Sequence, residues 1–103
     1  MPYDVLMIGH IEGIVRAQRP GFVLISAHGV GYKLYATKQS LASLRLGETV
    51  SLWTHLAVRE TALDLYGFIE EEELRFFDLL LTVSGIGPKS ALAILDIASV
   101  ETL

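Results

Sequence analysis

The segment with sequence GIGPK, residues 85–89, constrains the fold of this chain more than any other feature. Its two glycines flank Ile86, and Pro88 follows directly. Glycine accepts positive φ angles, and proline fits the first helical position because its missing N–H has no intrahelical partner there. The residues before the segment are mostly apolar and follow four glutamates, which favours a helix. The pattern therefore predicts a helix over 70–83, a tight turn, and a second helix over 88–97.

The turn predicts a binding site for one phosphate. Backbone N–H groups at a helix N-terminus have no intrahelical partner and lie at the positive end of the helix dipole. We expect Gly85, Ile86 and Gly87 to present such groups to a phosphate. Lys89 would add a side-chain charge beside them. This helix-hairpin-helix pattern is typical of proteins that hold a nucleic-acid backbone without reading bases.

Three other interpretations apply to the same turn. A dinucleotide-binding fingerprint needs glycine or alanine where Ser90 stands, and it must follow a strand. A P-loop needs glycine before its lysine, where this chain has Pro88. The third interpretation is a helical corner that binds nothing, since glycine turns are common. The first two lack required residues, so phosphate binding and the plain corner stay as alternatives.

Composition restricts the class of protein. The chain has 103 residues, of which 51% are hydrophobic and 19% charged, as is typical of a globular domain. It has no cysteine, which excludes disulfides and thiolate metal sites. His10, His28 and His55 lack the spacing of metal ligands, and Asp64 and Asp78 are isolated acids without a visible partner. We therefore predict no cofactor, no metal site and no catalytic residues.

Net charge and hydropathy bear on partners and location. The formal net charge is −4, so any nucleic-acid binding must be local, with acidic surface elsewhere. No apolar run reaches the roughly 18 residues of a membrane span, and the N-terminus lacks the features of a signal peptide. We therefore expect a cytoplasmic protein without a membrane partner.

The N-terminal part predicts five short strands with glycine-rich bends. Apolar and polar residues alternate in them, and turn signals separate them. The predicted strands cover residues 8–18, 22–28, 32–37, 49–58 and 62–68. A short helical or irregular link over 38–46 joins the third strand to the fourth. Gly9 and Gly13 suggest bends or bulges in the first strand. Such an arrangement suits a small closed barrel of the OB type.

We predict two structural units along the chain. A five-stranded OB-fold barrel covers residues 7–69, and a helix-hairpin-helix segment covers residues 70–103. Ser99 is typical of the N-cap of a third helix, and Glu101 would suit its first turn. The sequence ends at Leu103, about one turn into that helix, so we expect a fragment of a longer protein.

Several short blocks occur in a characteristic order along the chain. They are Met7-Ile-Gly9, Gly29-Val-Gly-Tyr32, Thr54-His55 with Val58-Arg-Glu60, Leu65-Tyr-Gly-Phe68, and Gly85-Ile-Gly-Pro-Lys89 with Ala91-Leu-Ala-Ile-Leu95. The ordered set spans residues 7–103. In it the chain resembles the RuvA family, the Holliday-junction-binding subunits of the bacterial RuvAB branch-migration complex.

The resemblance implies a DNA-binding subunit that is not an enzyme. Such a subunit binds four-way junctions by backbone contacts and supports branch migration in homologous recombination and DNA repair. The resemblance implies a homotetramer, alone or as two stacked tetramers. It also implies that the RuvB motor hydrolyses ATP and contacts a C-terminal domain absent from this sequence. Of the two helix-hairpin-helix motifs of the family, this chain holds the first.

The resemblance also gives a role to the turn Arg59-Glu60-Thr61, between the last two predicted strands. Glu60 matches the first acid of a pin that lies at the junction centre. Thr61 stands where a second acid is usual, which reduces the negative charge of the pin. The carboxylates of the pin repel phosphates and keep the DNA strands apart. Arg59 joins the hairpin residues as an expected DNA contact.

Two other functions are kept as alternatives. A barrel of the OB type can bind single-stranded nucleic acid by stacking bases on aromatic side chains. The candidate stacking residues are Tyr32, Tyr35, Trp53, Tyr66 and Phe68. The other alternative is a purely structural oligomerisation module, in which exposed apolar residues meet neighbouring subunits and the hairpin is only a corner.

Overall fold

Five β-strands close into a barrel, and helices pack on its outer surface. The computed structural model describes residues 8–97. The strands are β1 (His10–Arg19), β2 (Phe22–Ala27), β3 (Val30–Tyr35), β4 (Thr49–Val58) and β5 (Leu63–Phe68). The helices are α1 (Lys38–Ser43), which connects β3 to β4, and α2 (Glu71–Leu81) and α3 (Pro88–Ile97), which follow the barrel.

The predicted fold class is confirmed, because the predicted strands and helices of the described region occur in the predicted order. The largest difference is at α1, which ends at Ser43 and not at residue 46. The predicted third helix, with Ser99 and Glu101, lies outside the described residues, as does Met7 of the first sequence block. The boundary between two units at residue 69 stays a prediction.

The barrel closes because β1 pairs with two different strands along its length. Residues 10–14 pair antiparallel with β4, and residues 14–19 pair antiparallel with β2. The strand order around the barrel is β1-β2-β3-β5-β4. Strands β3 and β5 run parallel, and their register pairs Leu34 with Leu65 and Tyr35 with Tyr66. This parallel contact brings the middle of the chain beside the β4–β5 hairpin.

Apolar side chains fill the barrel interior. Alternate residues of a strand point to opposite faces, so each strand contributes every second side chain. The buried members of this cluster are Ile11, Val15, Val23, Ile25, Leu34, Leu44, Leu52, Leu56 and Leu65. Burying one such side chain contributes about 1.5–3 kcal/mol relative to leaving it exposed, so this cluster holds the strands together.

A second apolar cluster joins the outside of the barrel to α2 and α3. Its buried members are Ala57, Tyr66, Phe68, Phe77, Ala91 and Leu95. Phe77 of α2 is fully buried, and its ring centroid lies 4.9 Å from that of Phe68 and 5.3 Å from that of Tyr66. Aromatic pairs at these separations are stabilising beyond the area that they bury. Strands β4 and β5 therefore set the position of both helices.

Polar contacts fix the ends of α1. The side-chain Nε2 of Gln18 donates to the carbonyl of Leu41 at 2.8 Å and also to that of Leu44. The Leu41 carbonyl also accepts from the N–H of Leu44 at 3.3 Å, so Gln18 reinforces the C-terminal turn of the helix and satisfies the carbonyl of Leu44. At the other end, the backbone N–H of Lys38 donates to Oδ1 of Asp96 at 2.7 Å. This contact ties α1 to the last turn of α3.

The glutamate run starts α2 as predicted. The backbone N–H of Glu70 donates to Oε1 of Glu73 at 3.3 Å, as in a capping box. Burial is the main cause that raises the pKa of the Glu73 carboxyl above its ordinary value. Among the helices of the described region, none is long and apolar enough to cross a membrane.

Gly13 differs in role from the predicted bulge. The backbone bends at Gly9, as predicted, but the register of β1 shifts between Val15 and Ala17, so no bulge lies at Gly9 or Gly13. A Cβ at Gly13 would instead overlap the backbone carbonyl oxygen of Ser26 on β2. Because that oxygen belongs to the backbone, no side-chain rotation can relieve the overlap. Gly13 is therefore the residue that allows β1 and β2 to approach.

Replacement of Gly13 by alanine tests this close approach. We expect Gly13→Ala to lower the free energy of unfolding by about 2 kcal/mol or more, because strand β1 must move away from β2. Urea denaturation followed by circular dichroism measures the change. Gly9→Ala is the matched control, since a Cβ there meets nothing within 4 Å. Equal stability of the two variants would show that the barrel does not depend on this approach.

Candidate nucleic-acid interface

The hairpin between α2 and α3 is a compact turn held by its own backbone. The N–H of Thr82 donates to the carbonyl of Leu79 at 3.1 Å, and the N–H of Ile86 donates to that of Val83 at 3.1 Å. Gly85 has φ 88°, a left-handed conformation that glycine adopts at low cost. The predicted turn is therefore present, and Gly85 reverses the chain direction within it.

The donors at the start of α3 differ in part from those predicted. The N–H of Ile86 is used inside the turn, so the prediction that Ile86 presents this group to a ligand is wrong. The first bond of α3 runs from the N–H of Ala91 to the carbonyl of Gly87 at 2.9 Å. Within residues 8–97, the backbone N–H groups of Gly87, Lys89 and Ser90 have no hydrogen-bond acceptor. These three groups are the donors that the helix N-terminus offers.

Ser90 is a donor that the sequence-based prediction missed. The prediction concentrated on the glycines of the turn, although the unpaired N–H groups of any helix lie in its first turn. Counting from Pro88, which has no N–H, would have pointed to Lys89 and Ser90. Ile86 instead turns its side chain toward the second apolar cluster, where it packs against the buried residues.

A cleft of about 230 Å³ lies between the start of α3 and the barrel. Its lining residues are Ala57, Arg59, Asp64, Tyr66, Gly87, Pro88, Lys89 and Ser90. The structure thus brings together three of the predicted DNA contacts, Arg59, Gly87 and Lys89, which come from distant parts of the sequence. The other two, Gly85 and Ile86, do not line this cleft. The cleft combines free backbone donors with two cationic side chains.

An ion pair lies on the barrel side of the cleft. Nη2 of Arg59 is 2.8 Å from Oδ2 of Asp64. The Asp64 side chain is 18% exposed and the Arg59 side chain 58% exposed, so the acid lies deeper and the guanidinium faces solvent. The prediction that Asp64 is an isolated acid is therefore wrong. Asp64 restrains Arg59 at the cleft mouth, where its remaining N–H groups can meet an anion.

Tyr66 contributes a neutral hydroxyl to the same cleft. Burial, and then the nearby charges of Asp64 and Tyr35, raise the pKa of Tyr66 above its ordinary value of 10.0. The phenol therefore stays protonated at neutral pH and can donate a hydrogen bond. A neutral donor beside the Arg59 pair adds no negative charge that would oppose a bound phosphate.

The turn between β4 and β5 projects from the same side of the barrel. The N–H of Arg59 donates to the carbonyl of Ala62 at 2.9 Å and closes the turn. Glu60 and Thr61 lie exposed at its tip. Glu60 is therefore adjacent in the chain to a cleft residue but is outside the cleft lining. One turn presents a cation toward the cleft and a carboxylate at its tip.

A polar contact also joins the barrel to α2. Nδ1 of His55 is 2.9 Å from Oδ1 of Asp78, and the His55 ring lies 5.2 Å from that of Phe77. The prediction that Asp78 has no partner is therefore wrong. His55 belongs to β4, whereas Asp78 and Phe77 belong to α2. Both contacts of His55 therefore reinforce the attachment of α2 to the barrel. No group of three or more potential metal ligands occurs in the described part of the chain.

The aromatic side chains proposed for base stacking are mostly engaged in packing. Tyr66 and Phe68 are 2% and 0% exposed and form part of the second apolar cluster. Both are therefore wrong as stacking candidates, because their ring faces are covered. Tyr35 and Trp53 are half-buried against the same cluster, and Tyr32 is half-buried against the barrel interior. The barrel thus offers no row of open rings among its described residues.

Two family models match the chain. The model described as the RuvA N terminal domain matches residues 7–67. The model described as a SAM-like helix-hairpin-helix tandem matches residues 77–103. The first match covers the barrel, and the second covers the hairpin that forms one wall of the cleft.

Curated relatives carry the name "Holliday junction branch migration complex subunit RuvA". The relative from Acinetobacter baumannii is 46% identical over 97 residues, which are 94% of this chain and 49% of the relative. The relative from Acinetobacter baylyi is 46% identical over 95 residues, or 92% of this chain and 47% of the relative. The relative from Cutibacterium acnes is 42% identical over 97 residues, or 94% and 48%.

The chain spans about half the length of the curated relatives that it matches. The resemblance found in the sequence blocks is confirmed by these matches. Because the barrel model alone covers more than half of the sequence, and the hairpin is matched as well, the chain belongs to the RuvA family.

Proposed function

We propose that this chain binds four-way DNA junctions as a homotetramer and supports branch migration driven by the RuvB motor. The observation that carries the proposal is the cleft, where Arg59, Lys89 and the N-terminus of α3 meet. The names of the relatives indicate the substrate, a Holliday junction. The proposed chain is a DNA-binding subunit and not an enzyme, and ATP hydrolysis belongs to RuvB.

The cleft would hold one phosphate of the DNA backbone. The N–H groups of Gly87, Lys89 and Ser90 would donate to its oxygens, at the positive end of the α3 dipole. The Lys89 ammonium and the Arg59 guanidinium would neutralise its charge. Such contacts position a duplex and carry no sequence information. The proposed specificity is therefore for the shape of the junction.

The tip of the β4–β5 turn would act beside this phosphate site. In the proposed tetramer the four tips would converge at the junction centre, so that each Glu60 carboxylate faces the crossing strands. Carboxylates repel phosphates and would direct the strands into separate arms. Thr61 adds no charge, so the pin would act through one acid per subunit. The barrel over 7–69 would form this centre, and residues 70–103 would hold the arms.

A structural oligomerisation role is the second candidate function. Exposed apolar side chains favour it, since Leu63 is 67% exposed and Leu79 is 61% exposed. Side chains of this kind are expected at subunit contacts. This role is compatible with junction binding if the same chain does both. The single-stranded alternative is weaker, because Tyr66 and Phe68 are buried.

A competition experiment distinguishes these functions. The chain is titrated with a labelled four-way junction over a salt series, against unlabelled duplex and single-stranded DNA of equal length. Preference for the junction, with affinity that falls steeply as salt rises, is the expected result. Preference for the single strand would favour the stacking alternative. No binding by a chain that assembles would leave only the oligomerisation role.

Lys89 is expected to contribute a phosphate contact. Lys89→Ala should weaken junction binding equally for different DNA sequences and reduce the salt slope by about 0.9 for each phosphate that the lysine no longer neutralises. Fluorescence anisotropy over the salt series measures both quantities. Lys38→Ala is the matched control, because Lys38 is exposed beside the opposite end of α3. An unchanged slope in Lys89→Ala would remove Lys89 from the site.

Arg59 is expected to matter more than Lys89, because it also neutralises Asp64. Arg59→Ala removes a cation and leaves the Asp64 carboxylate unpaired within the cleft. We expect junction affinity to fall roughly tenfold or more, which corresponds to about 1.4 kcal/mol. Adding Asp64→Asn to Arg59→Ala should restore part of the affinity. If the double variant binds the junction as weakly as Arg59→Ala does, the Asp64 carboxylate does not oppose DNA binding.

Glu60 is expected to oppose close approach of the strands at the junction centre. Glu60→Gln should raise affinity for the four-way junction by roughly threefold, about 0.7 kcal/mol, while affinity for a plain duplex changes little. Parallel titrations of both DNAs measure this difference. Glu72→Gln removes one exposed charge from α2 and serves as the control. An equal gain in affinity for the junction and the duplex would show that Glu60 acts only by general repulsion of DNA.

A further inference from the structure

Lys33 is held over two aromatic rings on the outer surface of the barrel. Its Nζ lies 4.4 Å from the ring centroid of Phe22 and 5.2 Å from that of Tyr35. Phe22 and Tyr35 are cross-strand partners of β2 and β3, and their ring centroids are 6.4 Å apart. Ring faces attract an ammonium group at these distances. The two rings therefore restrict the position of the Lys33 charge without cancelling it.

Lys33 is connected to the cleft through the rings of Tyr35 and Tyr66. The parallel register pairs Tyr35 with Tyr66, and their ring centroids are 5.5 Å apart. Lys33 lies two residues before Tyr35 on β3, and Asp64 lies two residues before Tyr66 on β5, so all four side chains belong to the outward-facing side of the sheet. Tyr66 and Asp64 both line the cleft. Lys33 and the cleft are therefore linked on one outward face through the contact between Tyr35 and Tyr66.

Lys33 also forms no ion pair within the described residues. The ion pairs there engage Arg59 with Asp64, Arg75 with Glu71, and His55 with Asp78. Lys33 takes part in none of them. An ammonium that is positioned by rings, and not by a carboxylate, keeps its full charge for an incoming anion.

We propose that Lys33, positioned by Phe22 and Tyr35, is a second DNA-phosphate contact that continues the hairpin cleft onto the outer face of β3. The inference rests on the proposed DNA-binding function of the cleft. Phosphates recur every 3.4 Å or so of helix axis along each strand, so a strand held at Lys89 has further phosphates beside it. One of them meets the Lys33 ammonium. The barrel then takes part in gripping the DNA backbone as well as in assembly.

A purely structural role for Lys33 has different consequences. Lysine stems often cover apolar rings while the ammonium stays in water. In that case, removing the charge alters stability and leaves the salt dependence of DNA binding unchanged. The number of counterions released is therefore the decisive quantity, because packing alone does not change it.

The test uses the whole chain and a four-way junction over a salt series of about 50 to 200 mM. Lys33→Gln keeps much of the side-chain length and removes the charge. We expect its salt slope to fall by about 0.9 for each phosphate that Lys33 neutralises, with affinity at 0.1 M salt roughly fivefold weaker. Lys33→Arg should retain both values. Lys38→Gln, an equal charge change on exposed α1, should match the unmodified chain.

A second variant tests the role of the rings. Phe22→Leu keeps the Lys33 charge and removes one ring face, so the salt slope should stay while affinity falls by about twofold. Thermal unfolding of each variant separates an effect on folding from an effect on DNA binding.

The outcomes separate this inference from the function on which it rests. An unchanged slope in Lys33→Gln, with a reduced slope in Lys89→Ala, would overturn the Lys33 contact and leave the cleft in place. Failure of the unmodified chain to bind any DNA would overturn both. A slope that falls in Lys33→Gln but is not recovered in Lys33→Arg would also contradict a simple phosphate contact.

Discussion

The packing of Phe77 against the outside of the barrel is the interaction on which the candidate site depends. Its ring is enclosed by Tyr66 and Phe68 of β5, and the His55–Asp78 contact lies beside it. This packing places α2, and through the compact hairpin it also places the start of α3. Without it, the donors of the hairpin and the guanidinium of Arg59 would belong to separate surfaces. The cleft is thus a consequence of apolar burial between two layers.

The cleft is positively charged, although the chain as a whole carries a net negative charge. The net charge is −4, yet the cleft combines two cationic side chains with the positive end of a helix. Asp64 is the exception, and its pairing with Arg59 converts a repulsive carboxylate into a support for a cation. The exposed Glu60 lies at the tip of the same turn. The β4–β5 turn therefore places a cation that attracts phosphate, Arg59, directly before a carboxylate that repels it, Glu60.

The sequence predicted the barrel, the two helices and the hairpin, because these depend on local periodicity, glycine turns and a proline at a helix start. It also singled out Arg59, Gly87 and Lys89 as expected DNA contacts. It did not reveal their meeting in one cleft, which depends on how Phe77 packs. Nor did it reveal the partner of Asp78, because His55 and Asp78 belong to different elements of the fold. It also missed the Arg59–Asp64 pair, which is local but depends on the conformation of the β4–β5 turn. The assignment of Ile86 as a donor failed because the turn uses that N–H for itself.

Weak individual contacts are sufficient if the proposed assembly is correct. One cleft with a few donors and cations offers modest affinity, and each contact is weakened by salt. Repetition around a four-fold axis makes the later contacts intramolecular, so that total affinity rises without any new interaction. The same repetition would discriminate against DNA whose arms do not match the symmetry. Specificity for a junction then requires no base contacts, only a rigid attachment of each cleft to its barrel, and the Phe77 cluster provides that attachment.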